Sequence, residues 1–250
     1  MATLANIWRH PIKSHGREAV ARVQLSARQT MPWDRVWAVA HEASKFDRDT
    51  CAWVPYTNFV LGSKAPELQA ICASVDEASG AITLSHPSAG IISVNPDLPA
   101  DAVKLVAWSA AFVPPNRAAP AFVAKAVRGM TDTSFASLSI LSHSSLGDLS
   151  ARAGQNLSID RFRGNLWVEG WDAWAEFSLI GHEIGVGGAR FLLRERIQRC
   201  SATAANPKTG KVDFDTPTFL ESQFGHRDFG VYAEVVTSGE IAVGDAVTIH

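Results

Sequence analysis

Hydrophobic and polar positions alternate in short stretches along most of the chain, a spacing that predicts strands with one buried face. Leu4 to Arg9, Ala19 to Ser26 and Arg35 to His41 alternate or are rich in β-branched and aromatic residues. Leu68 to Val75 leads through Glu77-Ala78-Ser79-Gly80 into Ile82 to Ser85, the pattern of a hairpin. Between Pro99 and Phe112 the spacing of Val103, Leu105, Val106 and Phe112 is closer to helical, and Pro114-Pro115 stops such a helix. After an extended segment, Ala121 to Arg128, a second helix is predicted over Ser142 to Ala153, with hydroxyl capping at Ser142 or Ser144 and Gly154 past its end. Strand patterns return at Leu166 to Glu169, His182 to Val186, Arg190 to Ile197, Val231 to Thr237 and Val247 to Ile249. Thr216-Pro217, followed by Phe219-Leu220 and Gly225, suits a short helix with proline in its first turn. The elements predict a mainly β, barrel-like fold with a few peripheral helices. It divides into two intimately packed halves, residues 1–115 and 120–250, with the linker between them. No repeat of 20 to 50 residues is present.

Composition sharpens this picture mainly by exclusion. Hydrophobic residues make up 46% and charged residues 19% of the 250, enough apolar material for a core throughout. A formal charge of −2, with scattered basic residues, offers no field for a polyanion, so nucleic acid is not an expected partner. The longest apolar run, Leu105 to Pro115, is broken by Ser109 and is too short for a membrane helix. Met1 to Lys13 contains Trp8, Arg9 and His10 where a secretory signal needs an apolar run, so a cytoplasmic protein is expected. The three cysteines, Cys51, Cys72 and Cys200, suit neither a disulfide framework nor a zinc knuckle.

Commoner catalytic motifs are absent. His182-Glu183 runs on to Ile184-Gly185 and does not complete H-E-x-x-H; Gly185 to Gly188 lacks a following helix and lysine and reads as a tight hairpin; no G-x-S-x-G elbow occurs. What remains is Cys200. It follows Gln198-Arg199 at the end of a strand and precedes Ser201-Ala202-Thr203 and the turn Asn206-Pro207-Lys208-Thr209-Gly210. A cationic neighbour favours a thiolate, which is a soft metal ligand, while a small core side chain is an equally good reading of Cys200 on local chemistry alone. Cys51 and Cys72, in apolar surroundings, read as core residues. Lys13 with Ser14, Arg35, and Arg163 with Asn165 each fall near a strand end, where a barrel rim could gather them into a phosphate pocket; taken singly, each reads as a solvated charge.

Several segments, in order, resemble one family. His10-Pro11-Ile12-Lys13-Ser14 and Trp33-Asp34-Arg35-Val36-Trp37 are similar to the Y-P-I-K-S and G-D-R-x-W signatures of the MOSC N-terminal β-barrel. The resemblance continues through Asp132-Thr133-Ser134, Phe162-Arg163-Gly164-Asn165, Arg199-Cys200-Ser201-Ala202-Thr203, Phe229-Gly230-Val231-Tyr232 and the closing Gly239-Glu240-Ile241-Ala242-Val243-Gly244-Asp245. The family includes the C-terminal domain of molybdenum cofactor sulfurases and stand-alone amidoxime reductases. The resemblance implies molybdenum–molybdopterin as cofactor, with Cys200 as metal ligand and catalytic residue. It implies that Lys13, Ser14, Arg35 and Arg163 hold the phosphate and pterin, and that Asp132, Thr133, Ser134, Asn165, Arg199 and Tyr232 belong to the same pocket, in a cleft between the halves.

The implied activity is an oxidoreductase acting on N-hydroxylated or other N-oxygenated small substrates. Because no iron–sulfur module follows His250, electrons are expected from a separate protein, a ferredoxin-like or flavin reductase partner. A carrier that passes on cofactor or sulfur without turnover, and a cofactor-free protein binding another small anion, are the alternatives. His15, His143 and His226 are assigned no role. Three departures stand out. Phe135 to Leu141 is longer than the P-F-L-I-L run of the reductases, Gln198 replaces a serine, and Gly164 replaces the proline of F-R-P-N, which is expected to loosen the loop carrying Arg163.

Overall fold

Most strands bury one face and leave the other partly open, and the buried faces meet in a few apolar clusters that fix the architecture. The computed structural model describes residues 1–250. The first part contains β1 (Thr3–Arg9), β2 (Glu18–Val20), β3 (Arg22–Leu25), β4 (Trp37–His41), the meander β5 (Cys72–Asp76), β6 (Ala81–His86) and β7 (Gly90–Val94), then α1 (Pro99–Ala110) and β8 (Pro120–Lys125). There follow β9 (Leu138–Ser142), α2 (His143–Ala153), β10 (Leu166–Glu169), α3 (Ala175–Ser178), β11 (Glu183–Val186) and β12 (Ala189–Gln198). The chain closes with α4 (Thr216–Phe224), β13 (Asp228–Thr237), β14 (Gly239–Ala242) and β15 (Val247–Ile249).

An eight-stranded sheet in the order β15-β11-β12-β13-β9-β10-β1-β2 forms the main body. It curls until Thr3 bridges Ala246, and β14 pairs with β3 across the seam, so the sheet is barrel-like. Leu4, Ile7, Leu138, Ile140, Phe191, Val231 and Ala233 fill its interior. Each such side chain stabilises the fold by about 1.5–3 kcal/mol relative to exposure. The alternate residues of β9 and β10, Leu141 and Trp167, face outward and are covered by Leu146 and Leu149 of α2 and Leu220 of α4. β9, all of whose residues are buried, was not among the strands the alternation predicted: a strand covered on both faces shows no simple alternation.

β4 is likewise buried on both faces. Trp37 and Val39 join Leu68, Ile82, Leu84 and Leu105, while Ala38 and Ala40 pack with Phe46, Phe59 and Met130. The division expected at 115–120 falls between α1 and β8. β8 then pairs back onto β4, and β1 and β2 belong to the main sheet beside β10, so the halves exchange strands. α2 and α4 fall where capping predicts them, whereas the single turn of α3 was not foreseen. Ser142 accepts a hydrogen bond from the Ser145 amide at the start of α2, and Gly154 ends it at φ 63°. No helix is long and apolar enough to cross a membrane.

Candidate functional site

Backbone pairing brings the site loops together before any side chain is considered. The loop after β1 is zipped to the loop before β4: the Lys13 amide donates to the Trp37 carbonyl at 2.7 Å and the Arg35 amide to the His10 carbonyl at 2.7 Å. The Met130 amide donates to the Arg35 carbonyl at 2.8 Å, which adds the loop ahead of β9. Ser14, Trp33, Arg35 and Arg163 all take left-handed backbone conformations, φ 62°, 61°, 53° and 47°. Such positions cost a side-chain-bearing residue energy and persist only where the surroundings enforce them. At Trp33 the family signature has glycine, the residue this conformation favours.

The side chains then converge. Lys13 Nζ donates to the Met130 carbonyl at 2.7 Å and to Asp132 Oδ1 at 2.5 Å. Arg35 pairs with the fully buried Asp34, whose Oδ1 accepts the His10 amide at 2.7 Å. Arg35 also donates to the Arg163 carbonyl at 3.2 Å. Arg163 donates to the Gly16 carbonyl at 3.0 Å, yet its other terminal nitrogen, Nη2, is buried with no partner. Burial, followed by the Arg35 and Arg17 charges, pushes the Arg163 guanidinium down to about 9, still a cation at neutral pH. Burial also lowers the Lys13 ammonium, against the pull of Asp132. Burial would raise the Asp34 and Asp132 carboxyls, but Arg35 for the first and Lys13 for the second hold both below the usual carboxylate range. Cations outnumber carboxylates in this cluster, and one guanidinium face is unsatisfied, so it is built to receive an anion.

Cys200 is exposed, just beyond β12, and is one of three free cysteines. Arg199 and the Tyr232 phenol lie within electrostatic reach of Cys200 on one side and of Arg35 and Asp132 on the other, which puts the thiol and the cations in one neighbourhood. Burial, then Asp132, raises the Tyr232 phenol, keeping it protonated as a donor. Ser134 and Asp132 are exposed on the same loop, and Ser14 is half-buried.

Three of the expected pocket residues are engaged by partners within the protein. Asn165 is buried, its Oδ1 taken by the Ser139 amide and hydroxyl and its Nδ2 donated to the Trp8 carbonyl. Thr133 bonds within its own loop, to the Phe135 carbonyl and Ser137 Oγ. Arg199 donates to the carbonyls of Phe229 and Phe162 and lies over both rings. Each of the three side chains donates to at least one backbone carbonyl, as Lys13, Arg35 and Arg163 also do. Gly164 also departs from expectation: a Cβ there would stand 2.4 Å from Leu141 Cδ1, so glycine fits a crowded loop and does not loosen it. Residues not singled out from the sequence, Asp34, Arg17 and Arg161, hold the site loops; burial, invisible in their polar character, is what gives them that role.

A barrel-like sheet whose loops gather buried cations, with a free cysteine just past β12, describes the class. Residues 1–128 match the MOSC N-terminal beta barrel domain and residues 129–248 the MOSC domain, so the chain belongs to the MOSC family. It is similar to human mitochondrial amidoxime reducing component 2, 23% identical over 99% of this chain and 83% of that protein. Human mitochondrial amidoxime-reducing component 1 is 30% identical over 53% of this chain and 42% of its own length. Molybdenum cofactor sulfurase of Drosophila ananassae is 26% identical over 44% of this chain and 15% of its own. Among solved structures, the YuaD protein from Bacillus subtilis aligns over 100% of this chain and 96% of that one, with a TM-score of 0.47 and 14% identity.

Proposed function

We propose that this chain is a cytoplasmic molybdenum–molybdopterin oxidoreductase that reduces N-hydroxylated or other N-oxygenated small molecules with electrons from a separate ferredoxin-like or flavin reductase protein. The observation that carries the reading is the joining of an exposed, unpaired thiol and an under-satisfied cation cluster in one neighbourhood. The donor set fits the group. No cluster of three His, Cys, Asp or Glu side chains forms a protein cage for a metal, so a metal here takes one thiolate from the chain and its other ligands from an organic partner. The unpartnered Arg163 Nη2 and the Lys13 ammonium fit a phosphate.

When bound, the group supplies the two-electron change that, with two protons, turns an N-hydroxyl into N–H and water. Lys13, Arg35 and Arg163 hold the phosphate, and Cys200 anchors the metal. Asp132 and Ser134 offer hydrogen-bonding partners from their loop, and Tyr232 keeps its proton and donates. Anaerobic purification followed by metal analysis tests this: molybdenum is expected in the wild type and absent from Cys200→Ala, and equal content in both overturns the reading. Sustained reduction of a model amidoxime with a reductase partner tests turnover. The exposure of Cys200 favours a second reading, a carrier that hands on cofactor or sulfur; turnover in that assay excludes a pure carrier.

A further inference from the structure

We propose that Arg161 is a positioning residue that couples the anion grip to the thiol, so that an anion held at Arg163 fixes where Cys200 stands. The proposal rests on the reading of Arg163 and Cys200 as parts of one site. Arg161 lies two residues before Arg163 in a short 3-10 turn, Ile159–Phe162, and is 4% exposed. Its guanidinium points away from Arg163's ligands and into the segment that follows Cys200. Nη1 donates to the carbonyls of Thr203, Ala204 and Ala205 at 3.4, 3.3 and 3.1 Å, and Nη2 pairs with Asp213 Oδ1 at 2.5 Å.

The same short turn is tied on every side. Arg199, next to Cys200, donates to the Phe162 carbonyl at 2.9 Å. Arg17 approaches Asp160 at 3.4 Å while donating to the Pro207 carbonyl at 3.1 Å, beyond the thiol segment. Arg163 closes the circuit through Gly16. Residues 159–163 are therefore a hub, and a displacement of Arg163 by an incoming anion is transmitted through Arg161 to residues 203–205. The guanidinium reaches the carbonyls from one nitrogen and the carboxylate from another, a span that a single ammonium nitrogen does not reproduce, so lysine keeps the charge and loses the coupling.

The test follows alkylation of Cys200 by iodoacetamide in the full chain, read by mass spectrometry with the exposed Cys72 as internal reference, with and without saturating pyrophosphate. In the wild type, pyrophosphate is expected to slow Cys200 at least about fivefold, the lower end of typical coupling between two sites. In Arg161→Gln and Arg161→Lys the effect is expected to shrink to within about twofold, with Cys72 unchanged. A protein that merely needs Arg161 to fold shows faster alkylation of both cysteines and no selective loss of the pyrophosphate effect, which overturns the proposal, as does full protection in the variants. No protection in the wild type overturns the shared site together with the functional reading. If Arg161→Gln does not fold, Asp213→Asn decides: Asp213 is 37% exposed, and undiminished protection there overturns the coupling.

Discussion

The two ends of the site are built on opposite terms. At the cation end, Lys13, Arg35 and Arg163 are buried or nearly so, each is held by carbonyls or carboxylates, and the backbone beneath Arg35 and Arg163 is left-handed. At the sulfur end, Cys200 is exposed and stands two residues past the end of a regular strand. Ordering charge in advance costs desolvation and strain during folding. The thiol carries none of that cost and is free to react. Stability should therefore be concentrated at one end and chemistry at the other.

The strongest way to break that contrast is to remove the fully buried Asp34, which leaves Arg35 without its carboxylate. Asp34→Ala is expected to destabilise by about 3–5 kcal/mol in urea unfolding, the range for breaking a buried ion pair; a loss under 1 kcal/mol would place the stored energy elsewhere. Next comes pH. Burial, followed by the Arg163 charge, pushes His10 down to about 3, and burial pushes His15 down to about 4. Both are neutral when folded and accept protons near 6.5 when unfolded, so their contribution is full above that pH and is lost as pH falls toward 4. By pH 5 each should have cost about 2 kcal/mol, measured as a falling urea midpoint that His15→Asn partly flattens. The carboxyls of Asp34 and Asp132, held low, are lost only below about pH 4 and cannot account for a decline in that earlier window.

Gly164→Ala sharpens the comparison within the cation end. Its new methyl meets the buried Leu141, and a cost of about 1–3 kcal/mol in thermal or urea unfolding is expected from overpacking. The smallest effect belongs to the other end: Cys200→Ala should change stability by no more than about 0.5 kcal/mol while removing the metal. Cys72→Ser, also at an exposed thiol, should change neither stability nor metal content.

The sequence made the regular elements readable wherever one face meets solvent. β1, β6 and β12, the helix α1 and the capped helices α2 and α4 lie where periodicity and capping residues put them. Ala19 to Ser26 proved to be two strands, β2 and β3, broken at Ala21, because the chain there passes from one sheet to another. Leu68 to Ala70 form a 3-10 turn ahead of β5, although their composition reads as strand. Arg35 likewise sits before its strand in a left-handed turn, where its side chain meets Asp34. In the candidate site, motif order pointed to loops that the fold brings together, but not to which of their polar side chains are already held by partners within the protein. Asn165, Thr133 and Arg199 carry the same polar chemistry as Asp132 and Ser134. Only their engagement with carbonyls and hydroxyls tells them apart.

The pairing of β1 with β10 has a consequence for how the molecule is made. As the polypeptide emerges from the ribosome, β1 is delivered long before β10 and must wait, edge exposed, while the meander, α1 and β9 are synthesised. Contacts so distant along the chain slow folding and lengthen the exposure of unpaired edges. A fragment starting near residue 120 never receives β1 or β2 and leaves β10 as an open edge. Aggregation of the isolated C-terminal portion, measured by light scattering against the full chain, is therefore the expected outcome of the interlaced strands that also bring the Lys13 and Arg163 loops together.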